Sequence, residues 1–174
     1  MRIIAGALKG RRLEAPPGTG QVRPTADRAR EALFSILQRW PLGGFADLYA
    51  GTGAVGLEAL SRGYGPVTCV ERDPAVLAFL KRNARGTDLE VAARDAGRLG
   101  PDAFRGLAVV FADPPYERAL EAWAALAPVA AAWLAPGGVL VFEAAAGTVL
   151  PPHPGLEPVD VRRYGAAAFS LFQA

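Results

Sequence analysis

The residues of densest chemical content are Asp113, Pro114, Pro115 and Tyr116, which directly follow the apolar run 107–112. Two prolines, with fixed φ and no N–H to donate, end a strand. They do so between a carboxylate and an aromatic ring. That set suits an exocyclic amine whose lone pair is delocalised into a ring. The Asp113 carboxylate and the Pro114 carbonyl, held by proline rigidity, can accept the two amine hydrogens and aim the nitrogen at an electrophile. Tyr116 can stack on a base that has left its own stack. A plain strand-ending turn is the competing account, and it leaves Asp113 and Tyr116 without a task.

A second chemical patch lies upstream. In "DLYAGTGAVGLEAL", Gly51, Gly53 and Gly56 form a G-x-G-x-x-G turn between an apolar segment and a helical one. Such a turn lets backbone approach a ligand closely and presents the free N–H groups of a helix start. Glu71, 20 residues beyond Gly51, ends the next apolar run, where a carboxylate can accept both hydroxyls of a ribose. The same pattern serves nicotinamide dinucleotides, so other residues must choose the ligand. Asp47, four residues before Gly51, repels a pyrophosphate but attracts the amino group of an amino-acid tail. In "ARDA", Asp95 can accept from an adenine amino group while the Ala96 N–H donates to the ring. A dinucleotide enzyme usually needs a second substrate domain, for which no residues remain. S-adenosylmethionine is the ligand these residues favour; glycines used only for tight packing are the plain alternative.

For these residues to meet, several strands must end at one edge. Short β-rich apolar runs occur at 45–50, 67–71, 89–93, 107–112 and 139–144, with helical patterns at about 53–62, 74–84 and 117–134. Alternating strands and helices imply right-handed crossovers and a mostly parallel sheet covered on both faces. The glycine turn and Asp113 then open at the same carboxyl edge. "LEPVDVRRYG" and "AAAFSLFQA" are two strands joined by a tight turn at Gly165, which forces them antiparallel. The expected fold is α/β and Rossmann-like, a mostly parallel seven-stranded sheet with a C-terminal antiparallel hairpin. Ahead of it, residues 1–15 read as a short basic hairpin or extended arm. From Thr25, the positions Ala29, Ala32, Leu33, Ile36, Leu37 and Trp40 mark a helix stopped by Pro41, Gly43 and Gly44. Residues 1–40 read as an N-terminal extension, and residues 41–174 as the domain that carries both motifs.

The 174 residues and 18.2 kDa suffice for a substantial core. Cys69, the single cysteine, sits in the apolar "VTCVE" and reads as a buried thiol. His153 is the only histidine and lies in the loop-like "PPHPG", so no metal is expected. The segment "MRIIAGALKGRR" is too short in apolar residues for a signal peptide, and no apolar stretch reaches bilayer length. A cytoplasmic monomer without membrane contact is expected. The net charge of +2 is unevenly spread: residues 1–40 hold eight basic and three acidic side chains. Lys9, Arg11, Arg12, Arg23, Arg28 and Arg30 are the candidates for tracking a phosphate backbone. A merely solvated arm explains the charge equally well.

"DLYAGTGAVGLEALSRG", "VERD" and "DPPY" together resemble the class I S-adenosylmethionine-dependent amino-methyltransferases. The flanks "RIIAGALKGRRL", "RPTADRAREALFSIL" and "RRYG" narrow the resemblance to the bacterial family that methylates guanine N2 in 16S rRNA, the D type of small-subunit methyltransferase. It runs from Arg2 to Gly165. The N-terminal block is its specific part, because DNA adenine methyltransferases share the other motifs. The resemblance implies that Asp47, Gly51, Gly53 and Glu71 hold the cofactor and Asp95 its adenine, and that 113–116 is the catalytic loop. It further implies guanine-966 as the target, in an assembly intermediate of the small subunit that carries ribosomal proteins. Ser35 stands where Asn is more common in the family, and Tyr49 where Phe is usual. A DNA adenine N6-methyltransferase would normally add a target-recognition segment, which this chain lacks. A nicotinamide oxidoreductase and a catalytically silent RNA-binding module are the remaining alternatives; the second has no need of "DPPY".

Overall fold

The structure, a computed structural model, describes residues 1–17 and 24–174. The described residues form a seven-stranded sheet. Its strands are β1 (Gly44–Asp47), β2 (Val67–Glu71), β3 (Glu90–Ala93), β4 (Leu107–Ala112), β5 (Leu134–Ala145), β6 (Glu157–Tyr164) and β7 (Ala167–Gln173). They lie in the order β3-β2-β1-β4-β5-β7-β6. The first five are parallel to one another, while β7 pairs antiparallel with both β5 and β6. This is the architecture of a class I methyltransferase.

Among the described residues, four helices connect and cover the sheet: α1 (Pro24–Leu37), α2 (Ala54–Ser61), α3 (Pro74–Asn83) and α4 (Ala119–Trp133). Successive side chains of a strand point to opposite faces, and the core follows suit. Phe45, Val109 and Val141 join Leu33, Phe34, Leu37 and Leu57 on one face. Ala46, Val110, Leu140 and Phe142 join Trp123, Leu126 and Trp133 on the other. Crossovers from β1 run one way to β2, whereas the chain next pairs β4 on the opposite side of β1. The carboxyl ends of β1 and β4 therefore flank the point where such sheets open a crevice.

Two boundaries differ from the sequence expectation. β1 ends at Asp47, and residues 48–50 continue as a turn that keeps strand-like bonds, with the Leu48 N–H donating to the Phe111 carbonyl and that of Ala50 to Val70. β5 begins at Leu134, not at 139. The "APGG" punctuation is absorbed by a register shift against β4, and Gly138 packs so closely that a Cβ would lie 2.6 Å from the Leu107 carbonyl oxygen.

The N-terminal segment is a hairpin, with an isolated antiparallel bridge between Arg2 and Arg12, and it is docked. Ile3 and Leu13 are buried in the same cluster as Phe45 and Leu57. The Ile4 and Ala5 N–H groups donate to the Glu58 carboxylate, at 2.8 and 3.0 Å, and the Leu8 N–H donates to the Ser61 hydroxyl. Asn83 accepts from the Glu14 N–H through Oδ1, and its Nδ2 donates to the carbonyls of Glu14 and Thr52.

Candidate active site

Beside the switch point lies a cleft of about 810 Å³, lined among others by Tyr49, Glu71, Asp95, Asp113, Tyr116 and Glu143. The glycine turn stands next to it, tied to the lining residue Glu71 by the Gly51 N–H. Gly51 and Gly53 have φ of +55° and +86°, values that L side chains rarely adopt. A Cβ on Gly51 would meet nothing within 4 Å, so this backbone lies open to a ligand. Gly56 serves packing instead: a Cβ there would lie 2.2 Å from the Cys69 sulfur, which brings α2 down onto β2. Burial pushes the Cys69 thiol well up, as suits a structural thiol.

Three carboxylates stand at or just beyond the carboxyl ends of β1, β2 and β3. Asp47 is 1% exposed, and its Oδ2 accepts from the Gly56 N–H. Its Oδ1 is buried without a partner. Burial raises its carboxyl to about 7 against that hydrogen bond, and the charges of Asp113 and Glu71 push the same way. Glu71 is committed to backbone: one oxygen accepts from the Gly51 N–H and the other from those of Arg72 and Asp73. The oxygen that meets Gly51 retains a lone pair for a ligand, while the other is filled by its two backbone donors. Asp95 caps the 3-10 turn 96–98 through the Gly97 N–H and pairs with Arg72 at 3.0 Å. Against a burial that would raise it, the Arg72 hydrogen bond holds its carboxyl below the usual value. Ala96 follows it, buried.

Asp113 leaves β4 at the rim of the same cleft, with Pro114 and Pro115 behind it. Partial enclosure raises its carboxyl to about 6. Tyr116 is 45% exposed and opens a 3-10 turn that leads into α4. Its hydroxyl donates to Glu143 Oε1 at a long 3.4 Å. Burial, with help from Asp113, raises the Glu143 carboxyl to about 8. Sequence reasoning missed Glu143, and also Arg72 and Arg118 at the rim. The missed signal was an acid at the end of the otherwise apolar "VLVFEA".

The basic candidates separate. Lys9, Arg12 and Arg28 are exposed, and none of them forms a salt bridge among the described residues. Arg11 is partly spent, its guanidinium donating to the Asn83 and Arg85 carbonyls at the end of α3. Arg30 must be removed from the phosphate-facing set. It is 4% exposed and fixed by Asp27 at 3.0 Å, Glu58 at 3.5 Å and the Arg2 carbonyl. The helical pattern placed it on the polar side, but the docked hairpin covers that side. Arg23 lies outside the described residues.

A family model described as Conserved hypothetical protein 95 matches residues 1–173. Ribosomal RNA small subunit methyltransferase D of Escherichia coli strain K12 is 34% identical over 182 aligned positions, covering 99% of this chain and 89% of that protein. The chain belongs to the small-subunit rRNA methyltransferase D family. The relative of the same name from Haemophilus influenzae is 33% identical over 82% of this chain and 78% of its own. Among solved structures, the yhhF protein of Escherichia coli superposes with a TM-score of 0.82 at 31% identity, covering 99% of this chain and 97% of that one. The protein TTHA0928 of Thermus thermophilus gives 0.79, also at 31%, over 100% and 99%. For this family and fold the cofactor is S-adenosylmethionine. The residues present fit it. The unpartnered, buried Asp47 oxygen suits an ammonium group, the open Gly51 backbone suits a close approach, and Glu71 and Asp95 face the cleft with acceptor capacity left.

Proposed function

We propose that this protein methylates the exocyclic N2 amine of a guanine in 16S rRNA, guanine-966 by family relationship, within an assembling small subunit that carries ribosomal proteins. The observation that carries the reading is the position of Asp113 through Tyr116. The loop opens into the same cleft as the cofactor-side carboxylates, one strand from Asp47.

When bound, S-adenosylmethionine supplies an electrophilic methyl group on a sulfonium. This chain's residues do the rest. Asp47 takes the ammonium of the amino-acid tail, Glu71 the ribose hydroxyls, and Asp95 with the Ala96 N–H the adenine. Gly51 lets the backbone come close, and Gly53, packed against Leu80, holds the positive φ of the turn beside the cofactor. The Asp113 carboxylate and the Pro114 carbonyl accept the two amine hydrogens, which localises the nitrogen lone pair and stabilises the cationic amine as it forms. Pro115 stiffens the loop, and Tyr116 stacks on the flipped base. Residues 1–40 form the extension that meets RNA, with Lys9, Arg12 and Arg28 as its phosphate contacts, while residues 41–174 carry the chemistry.

The test is methyl transfer from labelled cofactor to 16S rRNA and to 30S particles, followed by nucleoside analysis. N2-methylguanosine is expected, from wild type and not from Asp113→Ala. Label in any other nucleoside overturns the assignment.

A further inference from the structure

Asp113 and Tyr116 cannot by themselves tell guanine from adenine, since both bases present an exocyclic amine. The residue beside them can. β4 and β5 are parallel neighbours with Ala112 in register with Phe142, so Asp113 and Glu143 occupy the same level at the carboxyl ends of adjacent strands, about 5 Å apart in backbone. Both line the cleft. Among the described residues Glu143 has no salt bridge, and the one hydrogen-bond partner of its side chain is Tyr116 at 3.4 Å.

As a structural element this placement is unfavourable. A half-buried carboxyl next to a second acid, with no cation beside it, destabilises a strand whose residues 139–142 are all fully buried and apolar. Its carboxyl is accordingly raised to about 8. Groups held in that condition at the mouth of a cleft mark function.

We infer that Glu143 accepts a hydrogen bond from the N1–H of the target guanine and is the residue that selects guanine over adenine; this rests on the amine-methylation reading above. Guanine carries two adjacent donors, the N2 amine and N1–H, and the Asp113–Glu143 pair offers two adjacent acceptors. Adenine held by its amine would instead turn the N1 lone pair toward Glu143: an ionised Glu143 then meets it acceptor against acceptor, and a protonated one makes a single bond to N1 where guanine, with N1–H and O6, makes two. An oxygen lone pair is available to N1–H in either protonation state of Glu143, and the protonated form also offers a donor to guanine O6. Tyr116 then has a second task besides stacking: its hydroxyl fixes the Glu143 rotamer.

The probe is 2-aminopurine, which keeps the 2-amino group but carries a lone pair at N1 and lacks O6. 30S particles are reconstituted from ligated 16S rRNA with guanine or 2-aminopurine at the acceptor position, and single-turnover methyl transfer is measured at saturating cofactor. Wild type is expected to prefer guanine about ten- to a hundredfold. Glu143→Gln, an isostere of the protonated acid, should keep most of that preference, whereas Glu143→Leu should bring the ratio close to one. Leu removes an uncompensated carboxyl from an apolar strand and should fold; S-adenosylhomocysteine binding verifies this, with Glu143→Ala as the second variant. Equal wild-type rates on the two bases, or an unchanged ratio in a folded Leu or Ala variant, overturn the assignment of Glu143 while N2-methylguanosine from wild type leaves the amine reading standing. Wild-type product on adenine defeats both.

Discussion

In the proposed reaction Asp113 works only as an acceptor, and its carboxyl is raised to about 6 because the cleft wall partly encloses it. The single-turnover rate should therefore rise with pH through about 6 as the carboxylate forms. Asp113→Asn should keep one acceptor oxygen and lose that pH step together with part of the rate, while Asp113→Ala should lose most of the rate with cofactor affinity little changed. Tyr116→Phe should stay closest to wild type, because the ring face carries the stacking. Wild-type turnover in Asp113→Ala would reduce the loop to a turn. Asp47 gives a second pH signature. Its carboxyl, raised to about 7 by burial, must ionise to receive an ammonium group, so S-adenosylhomocysteine should bind more tightly as pH rises from about 6 to 8. Calorimetry on Asp47→Asn should find that dependence flattened. The same raised value has a stability cost of fixed sign. The ligand-free protein binds this proton more readily than the unfolded chain, whose carboxyl lies near 3.8. Its contribution is full below about 4 and is lost as pH rises through about 7.

At the scale of elements, contact between α2 and β2 hangs on one missing side chain. A Cβ at Gly56 would sit 2.2 Å from the Cys69 sulfur and 3.3 Å from a Leu89 methyl. Gly56→Ala should destabilise by roughly 1–3 kcal/mol through overpacking, and adding Cys69→Ala should recover a large part of it, as denaturant melts of the three variants would register. The sequence made this junction half legible. The strand and helix periods located β1, β2 and α2 to within a residue or three, because alternation and 3.6-residue spacing are local. Which glycines face a ligand and which face a neighbour is set by packing across elements, and no spacing encodes it. The same limit explains Arg30 and Glu143. Arg30 looked polar-facing on its own helix, but the surface above it is covered by a hairpin distant in sequence. Glu143 ends an apolar strand and acquires meaning only from Asp113 on the strand beside it. Asp113 and Tyr116 were legible because two prolines isolate them.

Across the whole molecule, basic residues that look alike in sequence divide into surface and scaffold. Replacing Lys9, Arg12 and Arg28 with Ala should weaken RNA binding and flatten the plot of log affinity against log salt, by about 0.7 for each phosphate no longer neutralised on single-stranded RNA. An unchanged slope would mean that these cations are only solvated. Arg30→Ala should behave otherwise, with stability reduced by roughly 3 kcal/mol and the salt slope preserved in whatever remains folded. That is the low end for a buried pair stripped of one partner, since Arg62 and two backbone amides still serve the fully buried Glu58. The docking of the hairpin also fixes an order of events during synthesis. Its partners Glu58, Ser61, Asn83 and Arg85 stand 53 to 74 positions further along the chain. Residues 1–14 thus emerge with nothing to rest on, and Ile3 and Leu13 stay wet until α2 and α3 have followed them out. A nascent chain halted before residue 83 carries the same positive charges but holds them on no fixed surface, so the surface proposed to meet RNA comes into being only on chains that have already made the glycine turn and Glu71.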